Sequence, residues 1–85
     1  MPVISRFFGV VIYMYWRDHV PPHFHARYQD QEAAITIETG EVTGELSGRA
    51  RAMVEEWRQA HKEDLLEDWK LAEQKKMLRR IEPLE

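Results

Sequence analysis

Gly9-Val10-Val11-Ile12-Tyr13-Met14-Tyr15-Trp16 is the stretch on which the fold turns, because β-branched and aromatic residues at almost every position suit a central strand that is apolar on both faces. The strand is expected to end near Arg17. The next segment, Asp18-His19-Val20-Pro21-Pro22, cannot continue a central ladder, since proline offers no amide hydrogen and restricts the residue before it. A loop is therefore predicted, followed by a second strand from His23 to Tyr28. Gln29-Asp30-Gln31 is a polar connection of hairpin length. Glu32 to Glu38 then alternates as a third strand, with Ala33, Ile35 and Ile37 on one face. After the turn at Thr39-Gly40, Glu41 to Leu46 reads as a short edge strand, kept brief by Gly44 and flanking acids.

Beyond Ser47, a suitable helix N-cap, the period changes. Ala50, Met53, Val54, Trp57 and Ala60, then Leu65, Trp69 and Ala72, follow helical spacing. No proline or glycine interrupts Arg49 to Met77, yet the apolar stripe drifts around His61-Lys62, so either one kinked helix or two helices are expected. Trp57 and Trp69 lie on the stripe and read as core anchors. Ile81 and Leu84, around Pro83, form a tail that can return to the core. The whole is an α+β domain spanning 1–85: a three- to four-stranded, mostly antiparallel sheet within 9–46, covered on one face by helices within 48–77, with the tail at 78–85.

With 85 residues the chain is a single domain, and 44% hydrophobic against 32% charged residues is a globular balance. The absence of cysteine excludes disulfides and thiolate metal sites. No apolar run reaches the roughly 18 residues of a membrane span, and the first residues show no basic, apolar leader, so no membrane association and a cytoplasmic location are expected. A net charge of −3 speaks against a generic DNA binder. The deficit sits wholly in the first 46 residues, while 47–85 balances and gathers Lys75, Lys76, Arg79 and Arg80 near its end, where they read as solvated or as a contact for an acidic partner. The acidic run Glu63 to Asp68 reads as a solvated face or a dock for a basic protein.

Three of the four histidines, His19, His23 and His25, fall within seven residues around the diproline. Side chains alternate on a strand, so His23, His25 and Arg27 share one face and Phe24, Ala26 and Tyr28 the other. The apolar set should face the helices. If Ile12, Met14 and Trp16 also point inward, Tyr13, Tyr15 and Arg17 join the histidines on the outer face, with Asp18 and His19 at its rim. Four uses of that face are open. His23 and His25, with His19 as a third, are candidate acid–base residues, with Arg17 and Arg27 contacting phosphate, the minimal kit of a metal-independent ribonuclease needing no cofactor; Tyr13 and Tyr15 beside the arginines also suit single-stranded RNA, whose bases stack on aromatic rings. His23 and His25 with His19 or Asp18 can instead supply the three ligands of an open divalent transition-metal site, a fourth protein ligand having to come from elsewhere, for example His61. The face can also bind a protein partner without catalysis. Finally, histidines beside prolines can simply fix the loop by bonding backbone carbonyls.

The opening Met1-Pro2-Val3-Ile4-Ser5-Arg6-Phe7-Phe8-Gly9, the Asp18-His19-x-Pro21-Pro22-His23-Phe24-His25-Ala26 core, the Ile37-Glu38-Thr39-Gly40-Glu41 turn and the Trp57 to Trp69 helix ending in Ile81-Glu82-Pro83-Leu84 closely resemble the small bacterial proteins grouped as domain of unknown function 4160. The resemblance implies no established activity. It implies a gene context like that of a toxin–antitoxin pair, hence a small protein partner encoded nearby and RNA or DNA as target. The reading taken forward is a toxin–antitoxin-like module that acts on or binds nucleic acid. Its alternatives are a non-catalytic interaction subunit, a homo-oligomer included, and a histidine-cluster metal protein.

Overall fold

In the computed structural model, which describes residues 2–85, five strands precede two helices: β1 (Val3–Phe7), β2 (Val10–Tyr13), β3 (His23–Tyr28), β4 (Gln31–Thr36), β5 (Val42–Gly44), α1 (Gly48–Ala60) and α2 (Lys62–Glu73). The strands form one antiparallel meander in the order β1-β2-β3-β4-β5. The fold is thus α+β as expected, but the sheet has five strands rather than three or four. The strand missed is β1. Its hairpin turns on Phe8 and Gly9, both at positive φ (48° and 84°), as a two-residue turn of the primed type demands. Phenylalanine is a poor occupant of that conformation, so the turn carried only half of its usual signal.

β2 is also shorter than its apolar run. Tyr13 pairs with His25, and extending that register would bring Met14 opposite Phe24, Tyr15 opposite His23 and Trp16 opposite Pro22, which has no amide hydrogen. Instead the Met14 amide donates to the Pro2 carbonyl, and the chain turns away through Arg17, at φ 56°.

The alternation in β3 is as expected: Phe24 and Ala26 are fully buried and join Ile12, Ile35, Ile37, Val54, Trp57, Leu65 and Trp69 in the core between sheet and helices. Ser47 caps α1 by accepting from the Ala50 amide at 3.3 Å. The helical region is two helices rather than one. His61 separates them with φ −124° and ψ 25°, although its amide still donates to Trp57 and Arg58 carbonyls. Trp57 and Trp69 are both buried in the core. The tail returns as expected: the Ile81 amide donates to the Ile4 carbonyl at 2.8 Å, and the Trp57 indole donates to the Glu82 carbonyl at 2.8 Å.

β5 is held against β4 by Gly44, at φ 116°, where an added Cβ would lie 2.7 Å from the Glu32 carbonyl oxygen and 2.9 Å from the Ala33 Cα. Neither obstacle is a flexible side-chain end. Gly44→Ala is expected to cost about 1–3 kcal/mol, read as a fall in thermal midpoint; an unchanged midpoint would contradict this packing. Among the described residues no helix is long and apolar enough to cross a membrane.

Candidate metal centre

The loop from Met14 to Pro22 closes one end of the sheet by leaning on the end of α2. The Arg17 amide donates to the Ala72 carbonyl at 3.2 Å, and the Trp16 indole to the Lys76 carbonyl at 3.1 Å. At the other end of the loop the Pro22 carbonyl accepts from the Ile37 amide at 3.0 Å. Asp18 is thereby carried from the loop onto the histidine side of β3, where its carboxylate meets all three clustered imidazoles. Oδ1 accepts from the His19 amide at 2.8 Å and lies 2.9 Å from His19 Nδ1. Oδ2 lies 2.9 Å from His23 Nε2 and 3.3 Å from His25 Nε2.

Two sequence expectations about this face need correction. His23 shares the outer face with His25 and Arg27 yet is 7% exposed, because as the first residue of β3 it sits where the loop meets α2, with its ring 5.3 Å from that of Trp69. Tyr13, expected to stack on a base, is fully buried: His25 stacks on it at 5.2 Å, Tyr15 meets it edge-on at 5.7 Å, and the Arg27 guanidinium lies 6.0 Å from its ring centre. Its cross-strand partner His25, together with Tyr15 and Arg27, closes the ring to any partner. Tyr15, Arg17 and Arg27 remain exposed. His19, expected as a third acid–base residue or a metal ligand, has a side chain 84% exposed; it meets the cluster at Asp18 Oδ1 and with its ring 5.2 Å from that of His23. His61 takes no part, its Nδ1 lying 3.5 Å from Asp64. The third member of the constellation is Asp18, expected at the rim and as the alternative to His19 for a third ligand, but not as the hub that all three imidazoles meet.

Ligand atoms of Asp18, His23 and His25 all lie within 4.8 Å of one another. The hydrogen bonding of His23 is unusual. Its Nδ1 is 2.7 Å from the Pro21 carbonyl, which can only accept, so Nδ1 carries the hydrogen. Nε2 then also faces an acceptor, Asp18 Oδ2. A neutral imidazole has a single N–H, so the second contact requires either an added proton or a cation between nitrogen and oxygen. Burial disfavours the Asp18 carboxylate, but the His19 amide together with His25 and His23 outweighs it and holds the carboxyl below its ordinary value. Burial, reinforced by the neighbouring imidazoles against the pull of Asp18, holds His25 below its ordinary value. A groove of about 220 Å³, lined by His19, Pro21, His23, Ala34, Thr36, Glu41 and Thr43, runs beside the cluster on the outer sheet face.

Comparison with known proteins identifies the domain but no activity. No curated protein and no solved structure matches the chain. The family model described as a domain of unknown function, DUF4160, matches residues 9–70, which include Asp18, His23 and His25 and run from the β1–β2 turn into α2: the chain belongs to the DUF4160 family.

Proposed function

We propose that Asp18, His23 and His25 bind one divalent transition-metal ion, as the centre of a module that activates water at an open coordination position. The observation that carries this reading is the convergence of two imidazole Nε2 atoms on a single carboxylate oxygen, with one ring fixed from behind. Bonds of about 2.05 Å put neighbouring ligand atoms roughly 2.9 Å apart in octahedral and 3.3 Å apart in tetrahedral geometry. The two contacts of Asp18 Oδ2, 2.9 and 3.3 Å, are edges of that length. Two histidines and one carboxylate leave positions free for water or substrate, and this donor set suits iron, manganese, cobalt and zinc. The Pro21 carbonyl is the outer partner such sites use to orient a ligand imidazole and fix its tautomer.

Metal-free acid–base cleavage of RNA by His23 and His25 is the weaker reading. An in-line transfer needs its acid and base on opposite sides of the phosphorus, whereas here both ε-nitrogens aim at one point.

Metal content decides between them. Untagged protein is dialysed against zinc, manganese or iron(II) and then against buffer, and analysed for metal. About one equivalent of at least one ion is expected, falling by more than tenfold in His23→Ala and in Asp18→Ala, while His19→Ala retains it. Less than a tenth of an equivalent with every ion would end the metal reading.

A further inference from the structure

Beside the triad lies a ledge where Tyr15 and Arg17, expected from the sequence as base and phosphate contacts, are joined by Trp16, expected to point inward but exposed, and by Lys75 and Lys76. Where β2 ends, Tyr15 stays 40% exposed while touching His25 edge-on at 4.8 Å. Trp16, next to it, is 48% exposed. Its ring is not loose, because the indole N–H is tied to the Lys76 carbonyl. The Arg17 amide is tied to Ala72, and Lys75 and Lys76 follow in the turn that ends α2, with their amides bonded to the Ala72 and Leu71 carbonyls. Arg17, Lys75 and Lys76 are exposed, and among the described residues none of the three makes an ion pair. Two open aromatic rings and three free cations thus share one edge of the molecule, against a chain whose net charge is −3.

Each part has a bland explanation alone. Lysines at a helix C-terminus compensate the backbone dipole, and single exposed aromatics are common. Their combination is not explained that way, since Trp16 is held in place by a hydrogen bond that leaves much of its ring in water. Rings in sequence with unpaired cations match unstacked bases joined by phosphates. Duplex nucleic acid offers no free base faces to Tyr15 and Trp16. An acidic peptide would satisfy the cations and leave both rings bare.

We propose that Tyr15, Trp16 and Arg17, with Lys75 and Lys76, bind single-stranded nucleic acid and lead a phosphodiester towards the Asp18–His23–His25 centre. The delivery step rests on the metal reading above; the binding step does not. Arg17 and the two lysines take phosphates, the two rings take bases, and Tyr15 bridges ledge and centre through its contact with His25.

Binding is measured by fluorescence anisotropy on the full chain, with labelled 12-nucleotide single-stranded RNA, the same sequence as DNA, and a 12-base-pair duplex, in EDTA and again with manganese. Single strands are expected to bind in EDTA, with the duplex weaker; the ratio of RNA to DNA affinity identifies the natural strand. Trp16→Ala is expected to weaken binding about tenfold, while Trp16→Phe keeps most of it. The double variant Lys75→Glu, Lys76→Glu should also weaken binding and flatten its salt dependence. The binding arm in EDTA is read with metal removed, so failure of the metal reading leaves this result intact. Tighter binding of the duplex, equal binding by a folded Trp16→Ala protein, or equal competition by polyglutamate would each overturn the ledge.

Discussion

Trp57→Ala is expected to lower stability by about 3–5 kcal/mol, the range for removing a large aromatic from a packed interior. Trp57 is fully buried and ties three parts of the chain together. Its ring lies 5.4 Å from Phe7 at the end of β1 and 5.7 Å from Phe24 in β3. Its indole N–H reaches the Glu82 carbonyl and so fastens the C-terminal tail. A chain of this length has a total stability of roughly 4–13 kcal/mol, so the loss is a large part of the whole. Trp57→Phe keeps most of the packing and loses the hydrogen bond, at a cost of about 1–2 kcal/mol. Urea titration gives the stability changes. Trypsin cleavage at Arg79 and Arg80 should accelerate in the phenylalanine variant, because the tail loses its anchor before the core does. Equal cleavage rates would show that the tail is held elsewhere.

The second large effect is one of pH. Asp68 on α2 is 1% exposed, its Oδ1 accepts the Arg79 amide at 2.9 Å, and its Oδ2 has no partner. Burial, aided by the nearby charges of Asp64 and Glu67 and opposed by the Arg79 amide and charge, pushes its carboxyl from 3.8 up to about 6. Between those values the folded chain keeps a proton that the unfolded chain has released. The contribution of Asp68 is therefore fully present below about pH 4, declines as pH rises through 6, and is gone above that. A shift of this size corresponds to about 3 kcal/mol at most. Asp68→Asn retains an acceptor for Arg79 and cannot ionise. It should be more stable than wild type at pH 7.5 by about 1–3 kcal/mol and should lack the decline between pH 4 and 7. Other titrating groups cancel in the difference between the two proteins. Parallel pH profiles would show that Asp68 does not carry the effect.

Most of the architecture was legible in the residues. Alternation in His23 to Tyr28 and in Glu32 to Glu38 depends only on the period of an extended chain, and it put Phe24, Ala26, Ile35 and Ile37 on the core side as found. The Ser47 cap and the drift of the helical stripe at His61 are local signals too. β1 was missed because Phe8 adopts a conformation its side chain disfavours, which only pairing with β2 makes worthwhile.

The chain by itself also determined that three histidines gather near a rigid loop and that His23 and His25 share a face. Tertiary structure alone decided what that face can do. Asp18 becomes the hub only because the loop is fastened to Ala72 and Lys76, more than fifty residues away along the chain. His23 is covered by Trp69, and Tyr13 is closed off by His25, Tyr15 and Arg27. Periodicity tells which side of a strand a residue occupies, a property of a few consecutive dihedral angles. Whether that side is open depends on what distant segments lay across it, and that is set by the packing of the whole chain.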